Sequence, residues 1–355
     1  MKRKMLVLAG MMVVVGFVVM FPMGQKSIDN QLDYDGEFVY SHEQIKDESK
    51  SQVPKTASVN PVGMNQGNNQ DETVADNANA TQNSKTASIP LQIDGESNHS
   101  FSFNSIGTHD DEVEFQIDKR MGYAIVTPLL NGNTDPGNKK IMVQKDDSSY
   151  FYDIDYDRMG INFQLGSGRY ELTLLKHSNG NSYSVLERES FEVELASQVD
   201  PFLNPTWPVI WTDDSKAIEL AKTMTEGIET DREKVTKIYN FLTENIVYDY
   251  DKAMHLENDY IPQIDQVLSE KTGICYDYSA LFAGMLRSID IPTKLVKGYK
   301  DDLNEYHAWN EVYIEEEDKW LVIDTTYDAG YNQSNSTLEV GMEKPPSSYS
   351  VHRVY

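Results

Sequence analysis

The sequence predicts an α+β protein with two folded parts: an antiparallel β-sandwich over about 97–197, then a mixed domain of helices and sheet over about 201–340. Three observations carry this. Short alternating apolar runs separated by Asn/Gly turns fill the first part. Helical periodicity of apolar residues begins after Pro208. A long apolar helix pattern from Cys275 is followed by two alternating runs joined by an acidic turn, Glu315–Asp318.

The chain has 355 residues, room for two domains and additional segments. Hydrophobic residues make up 39%, and the mean hydropathy is -0.54, so part of the chain is expected to lie outside any compact core. A net charge of -26 argues against nucleic acid and against broad docking on anionic lipid, both of which need clustered Lys and Arg. Lys2, Arg3 and Lys4 precede an uncharged apolar run, Met5 to Met23. Residues 1–24 are thus expected to be a signal peptide or a signal-anchor, and the only membrane contact. No small-residue cleavage site follows, which favours the anchor. With no cysteine there, a lipobox is excluded. Residues 25–96 are rich in Ser, Asn, Gln, Asp and Thr, with apolar residues scattered singly. Such a segment cannot offset its ordering entropy and is expected to be a disordered stalk, about 45 Å from end to end. The protein is accordingly expected to be exported, either anchored at the outer membrane face or secreted.

In the sandwich region the strands are expected around Gly122–Thr127, Lys140–Gln144, Gly160–Leu165 and Arg169–Leu175, with a hairpin turn at Ser178–Asn181. Asp153-x-Asp155-x-Asp157 resembles the start of a calcium loop. Arg158 and Met159 stand where its glycine turn belongs, and the polar face of a strand explains the pattern equally. No metal and no cofactor is assigned. Further on, Ile218, Ala221 and Met224 mark one helix. Thr230 with Glu233 forms a capping box that opens a second, whose stripe is Val235, Ile238, Tyr239, Leu242 and Ile246. A short helix is expected over Gln263–Glu270. Thr272-Gly273 then breaks the chain ahead of Cys275.

Cys275 is the only cysteine, so no internal disulfide can form, and a lone thiol in an exported chain needs a reason. A small buried hydrophobe is the bland alternative. Yet Cys275 stands at the start of a helix that Ile291-Pro292 ends, where unpaired amides and the dipole favour an anion. Asp277 opposes this if it lies close. A base is then needed, and Tyr306 to Ile314 alternates as a strand that carries His307. Lys319 to Asp324 forms the next strand. Centring the hairpin between Glu315 and Glu316 makes opposed positions sum to 631, which places His307 across from Asp324 on one face. Asp324 would hold one imidazole nitrogen while the other faces the thiol. A lone strand His is otherwise a half-exposed structural residue, and a strand-end Asp a turn former. The remaining histidines (His42, His99, His109, His177, His255, His352) form no zinc-enzyme spacing. No G-x-S-x-G and no phosphate loop occurs.

Gly273-Ile-Cys275-Tyr-Asp-Tyr-Ser, Tyr306-His307-Ala-Trp-Asn-Glu-Val and Trp320-Leu-Val-Ile-Asp324-Thr-Thr resemble the core of the transglutaminase-like superfamily. Ile238-Tyr-Asn-Phe-Leu through Tyr248-Asp, and Gly298-Tyr299, add to the resemblance, which spans roughly 205–335. It implies a papain-like α+β fold with Cys275 as nucleophile, His307 as general base and Asp324 as its orienter. Family members include crosslinking transglutaminases, proteases, amidases and catalytically silent modules. The Cys275 amide is the first candidate oxyanion donor, and Trp309 either walls the site or belongs to the core. The expected function is a thiol enzyme acting through a Cys275 thioester on amide bonds of a protein or cell-wall peptide, hydrolysis preferred. A crosslinking transglutaminase and a non-catalytic surface module are the alternatives.

Overall fold

A computed structural model of the chain describes residues 37–39, 98–104, 111–130, 139–154, 158–179, 182–256, 260–333 and 341–355. The apolar leader expected over 1–24 lies outside the described residues. So does the expected stalk over 25–96, except for residues 37–39, which pair as a strand rather than standing apart.

Period-two patterning builds the first part. Its strands are β1 (Glu37–Val39), β2 (Asn98–Asn104), β3 (Asp111–Asp118), β4 (Tyr123–Leu130), β5 (Lys139–Lys145), β6 (Ser148–Asp153), β7 (Met159–Asn162), β8 (Gly168–Asn179) and β9 (Ser182–Val193). They form two antiparallel sheets, β2-β3-β4-β7 and β1-β9-β8-β5-β6. Phe115, Ile117 and Val126 of the first sheet share one core with Ile141, Tyr152, Leu172 and Leu174 of the second. That is a sandwich, held by the inward-facing residues of both sheets. β8 and β9 pair as a hairpin up to Asn179 and Ser182, where the sequence placed a turn. Asp153, the first residue of the calcium-like run, pairs instead with Lys140 at 2.6 Å, while residues 155–157 lie outside the described residues.

The second part begins with α1 (Lys216–Thr225) and α2 (Asp231–Asn245). The Thr230 hydroxyl accepts the Glu233 amide at 3.3 Å, as the capping box requires. Two elements absent from the sequence expectation follow, β10 (Val247–Tyr248) and α3 (Tyr250–Met254), whose N-cap Asp249 accepts the Lys252 amide. Then come α4 (Ile264–Glu270), β11 (Thr272–Gly273) and α5 (Cys275–Arg287). Short as they are, β10 and β11 pair in parallel, Tyr248 beside Gly273, which brings Tyr248 up to the head of α5. Every residue of α5 from Tyr276 to Arg287 is buried. It packs into one cluster with Val235, Ile238 and Leu242 of α2.

A five-stranded antiparallel sheet covers α5 in the order β15-β14-β13-β12-β16. Its strands are β12 (Thr293–Lys300), β13 (His307–Ile314), β14 (Lys319–Ile323), β15 (Glu343–Lys344) and β16 (Tyr349–Val354), with α6 (Thr325–Gln333) between β14 and β15. Leu295, Val312 and Ile314 face α5, while Val296, Trp309 and Val322 line the opposite face. The Asn310 amide group donates to the Ser279 carbonyl, fixing β13 on α5. The sheet therefore runs past residue 340, where the sequence placed the end of the domain. The physical reason is β16, which closes the edge of β12. It also joins the two parts. Arg353 donates to the Ser149 carbonyl at 2.7 Å, and Tyr355 packs edge-on against Tyr150 and Trp207. Buried Arg287 reaches Thr293, Asn204, Thr206 and Tyr355 at the same joint, and burial pulls its pKa down to about 9.

Candidate active site

Cys275 is the first residue of α5, partly exposed, with Ile274 as the extended N-cap. Its neighbour Asp277, which could oppose a thiolate, is engaged by other groups. Buried Asp277 accepts the Ile274 amide at 2.9 Å, the Lys252 ammonium at 2.7 Å and the Tyr260 hydroxyl at 2.5 Å. The aspartate thus caps the helix and is neutralised by a lysine. This arrangement needs Gly273, since a Cβ there would lie 2.7 Å from the Asp277 Cβ.

His307 opens β13 and is buried to 7% exposure; Asp324 follows β14 directly and is fully buried. The His307 Nε2 lies 2.8 Å from Asp324 Oδ2. They meet, but not in the predicted register. Asn310 pairs with Ile323 and Ile314 with Lys319, so opposed positions sum to 633 rather than 631. Glu315–Glu317 winds into a 3₁₀ turn closed by left-handed Asp318, which places the centre of the hairpin one residue further on. A shift of two in the sum preserves the face, so His307 and Asp324 meet on a diagonal instead of directly across. Asp324 also caps α6, accepting the Tyr327 amide on Oδ1 at 3.0 Å. The helix after Asp324 was not foreseen, although Asp-Thr-Thr is an ordinary helix opening.

With Nε2 committed to Asp324, the imidazole's other nitrogen is left for the thiol, and the Cys275 side chain is near enough to favour the protonated ring. Burial alone would push the imidazole towards its neutral form. The Asp324 carboxylate, first by its charge and then by its hydrogen bond, outweighs this together with Cys275, and the His307 pKa is pushed up to about 10. A proton is therefore held on the imidazole at neutral pH, beside a sulfur that can carry the complementary negative charge.

Several supporting residues escaped sequence reasoning. The Tyr349 hydroxyl donates to Asp324 Oδ2 at 3.0 Å, and its ring packs on Trp309. No local signal marks Tyr349, because it reaches the site only through the fold of β16. Trp309 is fully buried and stacks roughly parallel to the His307 ring at 6.3 Å, so it backs the histidine instead of walling the cleft. Gly298, paired with His307 in the β12–β13 ladder, has a requirement of its own. A Cβ there would overlap the Ser350 carbonyl and lie 2.9 Å from the Trp309 ring. Tyr248 stands close enough to Cys275 for the two to interact electrostatically. Among the described residues no cluster of His, Cys, Asp and Glu is suited to a metal ion.

The sequence model of the transglutaminase-like superfamily matches residues 218–325, which include all three residues. The human kyphoscoliosis peptidase is 29% identical over 122 residues, and its mouse counterpart 28%. Each alignment covers 32% of this chain and 18% of the relative, so the chain spans under a fifth of the curated relatives it matches. Among solved structures, one from Cytophaga hutchinsonii, described as a candidate cysteine protease, overlaps 73% of this chain and 76% of its own, at 18% identity and a TM-score of 0.36.

Proposed function

With residues 218–325 forming a transglutaminase-like core, we propose that the protein is a thiol-dependent acyl-transfer enzyme that cleaves amide bonds of a protein or cell-wall peptide. The single observation that supports this most is the His307 imidazole, bonded to Asp324 and near enough to Cys275, at the head of α5, for the two to interact electrostatically. The Cys275 sulfur attacks the amide carbonyl, and the oxyanion that develops is met by the backbone amide of Cys275 at the helix N-terminus. The proton on His307 passes to the departing amine, leaving a thioester. Water, deprotonated by the now neutral His307, releases the acid and restores the thiol. Asp324 holds the imidazole in the required orientation throughout. The apolar run from Met5 to Met23 supports an outward-facing, membrane-anchored location, where surface proteins and wall peptides are the accessible amides.

The test is alkylation of Cys275 by iodoacetamide across pH, in the intact protein and in His307→Ala. Fast reaction well below the range of an ordinary thiol, lost in the variant, is expected. An ordinary thiol profile identical in both proteins removes the activated nucleophile. A glutaminyl protein offered with a labelled primary amine then decides the acceptor: incorporation of label overturns hydrolysis in favour of crosslinking. Retention of the full-length protein in the membrane fraction, against release of a shortened chain, tests the anchor.

A further inference from the structure

The strand next to His307 carries three lysines, and one of them differs from the others. Lys294 is paired with Glu311 at 2.8 Å, and Lys300 is paired with Asp302. Lys297, between them, has no carboxylate partner among the described residues. Its ammonium sits 3.3 Å from the centre of the Tyr276 ring and 5.7 Å from that of Tyr355. Tyr276 directly follows the nucleophile, and the charge of Lys297 is coupled to Cys275. Also near the head of α5, Lys252 has its anion, Asp277. Near the nucleophile, then, a cation is held on aromatic faces with no carboxylate partner among the described residues.

A largely desolvated charge is costly unless paired. Burial pulls the Lys297 pKa down to about 8, and the Cys275 charge only partly opposes this. Aromatic faces offset some of that cost but do not replace an anion. During acyl transfer the sulfur loses its negative charge to the thioester, so Cys275 cannot serve as the standing partner. The missing anion must then arrive with the substrate. A peptide substrate carries one kind of anion, a carboxylate, on a side chain or at its terminus. A single ammonium on a flexible stem suits one carboxylate and imposes no bidentate geometry.

We propose that Lys297 is a specificity-determining residue that receives a carboxylate carried by the substrate close to the attacked carbonyl, selecting acidic amide substrates in a protein that is itself strongly acidic. This rests on the proposed thiol chemistry of Cys275, and it adds the substrate class.

Two pairs of alkylating agents test it on the full chain: iodoacetate against iodoacetamide, and N-iodoacetylglycine against N-iodoacetylglycinamide. The second pair carries its carboxylate further from the reacting carbon. In the unaltered protein at least one acid is expected to react faster relative to its amide than it does with free cysteine. Lys297→Gln should lower that ratio about tenfold, the ratio to the amides cancelling whatever the lost charge does to the thiol itself. Lys297→Arg should keep it. If Lys297→Gln folds poorly, Lys297→Met serves in its place. Ratios unchanged between the unaltered protein and Lys297→Gln overturn the carboxylate receptor while leaving the activated thiol intact. Amide reagents reacting at the free-cysteine rate, with no effect of His307→Ala, instead overturn the underlying thiol chemistry and the receptor with it.

Discussion

Asp324→Asn is the sharpest probe of the site, because it keeps the shape while removing a charge and turning one acceptor into a donor. Three donors converge on this carboxylate: the His307 ring, the Tyr349 hydroxyl and the Tyr327 amide. A carboxylate can accept from all three, whereas an amide accepts on one oxygen and presents a donor at the other position. If the introduced oxygen keeps the Tyr327 amide, the introduced NH2 group faces His307. The imidazole must then turn a lone pair towards that NH2 group, which is the wrong tautomer for taking a proton from the thiol. The energetic size follows from His307 itself. Its pKa stands at about 10 against an ordinary 6.5, a bias of about 5 kcal/mol towards imidazolium. With the Asp324 charge gone, burial is left opposed only by Cys275, and the pKa falls. Cys275 alkylation by iodoacetamide at pH 6 should then slow by at least about a hundredfold. Tracking the His307 ring by NMR titration in both proteins reads the same change directly. An Asp324→Asn protein that alkylates within about threefold of the unaltered rate, with its pH profile unmoved, would refute the claim that this carboxylate sets the state of the imidazole.

The remaining predictions concern stability and support. His307 has a folded pKa above its unfolded value, so its contribution is fully present below pH about 6.5 and is lost as pH rises towards about 10. Urea unfolding at pH 6 and pH 10 should show this loss, and His307→Gln should flatten it. Tyr349→Phe removes one hydrogen bond to a buried carboxylate and should cost about 2 kcal/mol in the same assay. Gly298→Ala drives a methyl group into the Ser350 carbonyl and the Trp309 ring; a loss of about 3 kcal/mol is expected, with faster amide exchange in β16. Lys344→Met leaves buried Asp328, among the described residues, with only the Tyr239 hydroxyl and should cost roughly 3–5 kcal/mol, recovered in part by Asp328→Asn in the same chain.

The sequence carried the site further than it carried the domain around it. Cys275 at a helix head, His307 on a strand and Asp324 at the end of the next are local patterns, readable from glycine placement and alternation. The hairpin register was wrong by two in its sum, since a 3₁₀ turn and a left-handed Asp318 are set by backbone energetics that four acidic letters do not reveal. The contact survived because side chains repeat every two residues along a strand. Tyr349 and β16 were invisible for a different reason. They are distant in sequence, and Tyr349 reaches Asp324 only after β16 has paired with β12. Elements as short as β10 carry too few residues to show a period, yet β10 brings Tyr248 to the head of α5.

Pairing, not total charge, sets the field at the sulfur. The chain as a whole is at -26, and an aspartate stands two residues after the nucleophile. Left exposed to the thiol, both facts would oppose a thiolate. Asp277 is instead consumed by Lys252, Tyr260 and the Ile274 amide, and in that position it serves the helix whose dipole faces Cys275. Distant surface carboxylates are screened over about 8 Å at physiological ionic strength. What remains near the sulfur is the imidazolium of His307, kept charged by Asp324, and the ammonium of Lys297, held on the Tyr276 ring with no carboxylate partner among the described residues. An acidic protein can in this way present a locally positive cleft. The same distribution explains why removing Lys252 should harm the thiol although it does not touch it: Asp277 would lose its cation and its charge would be felt at the head of α5.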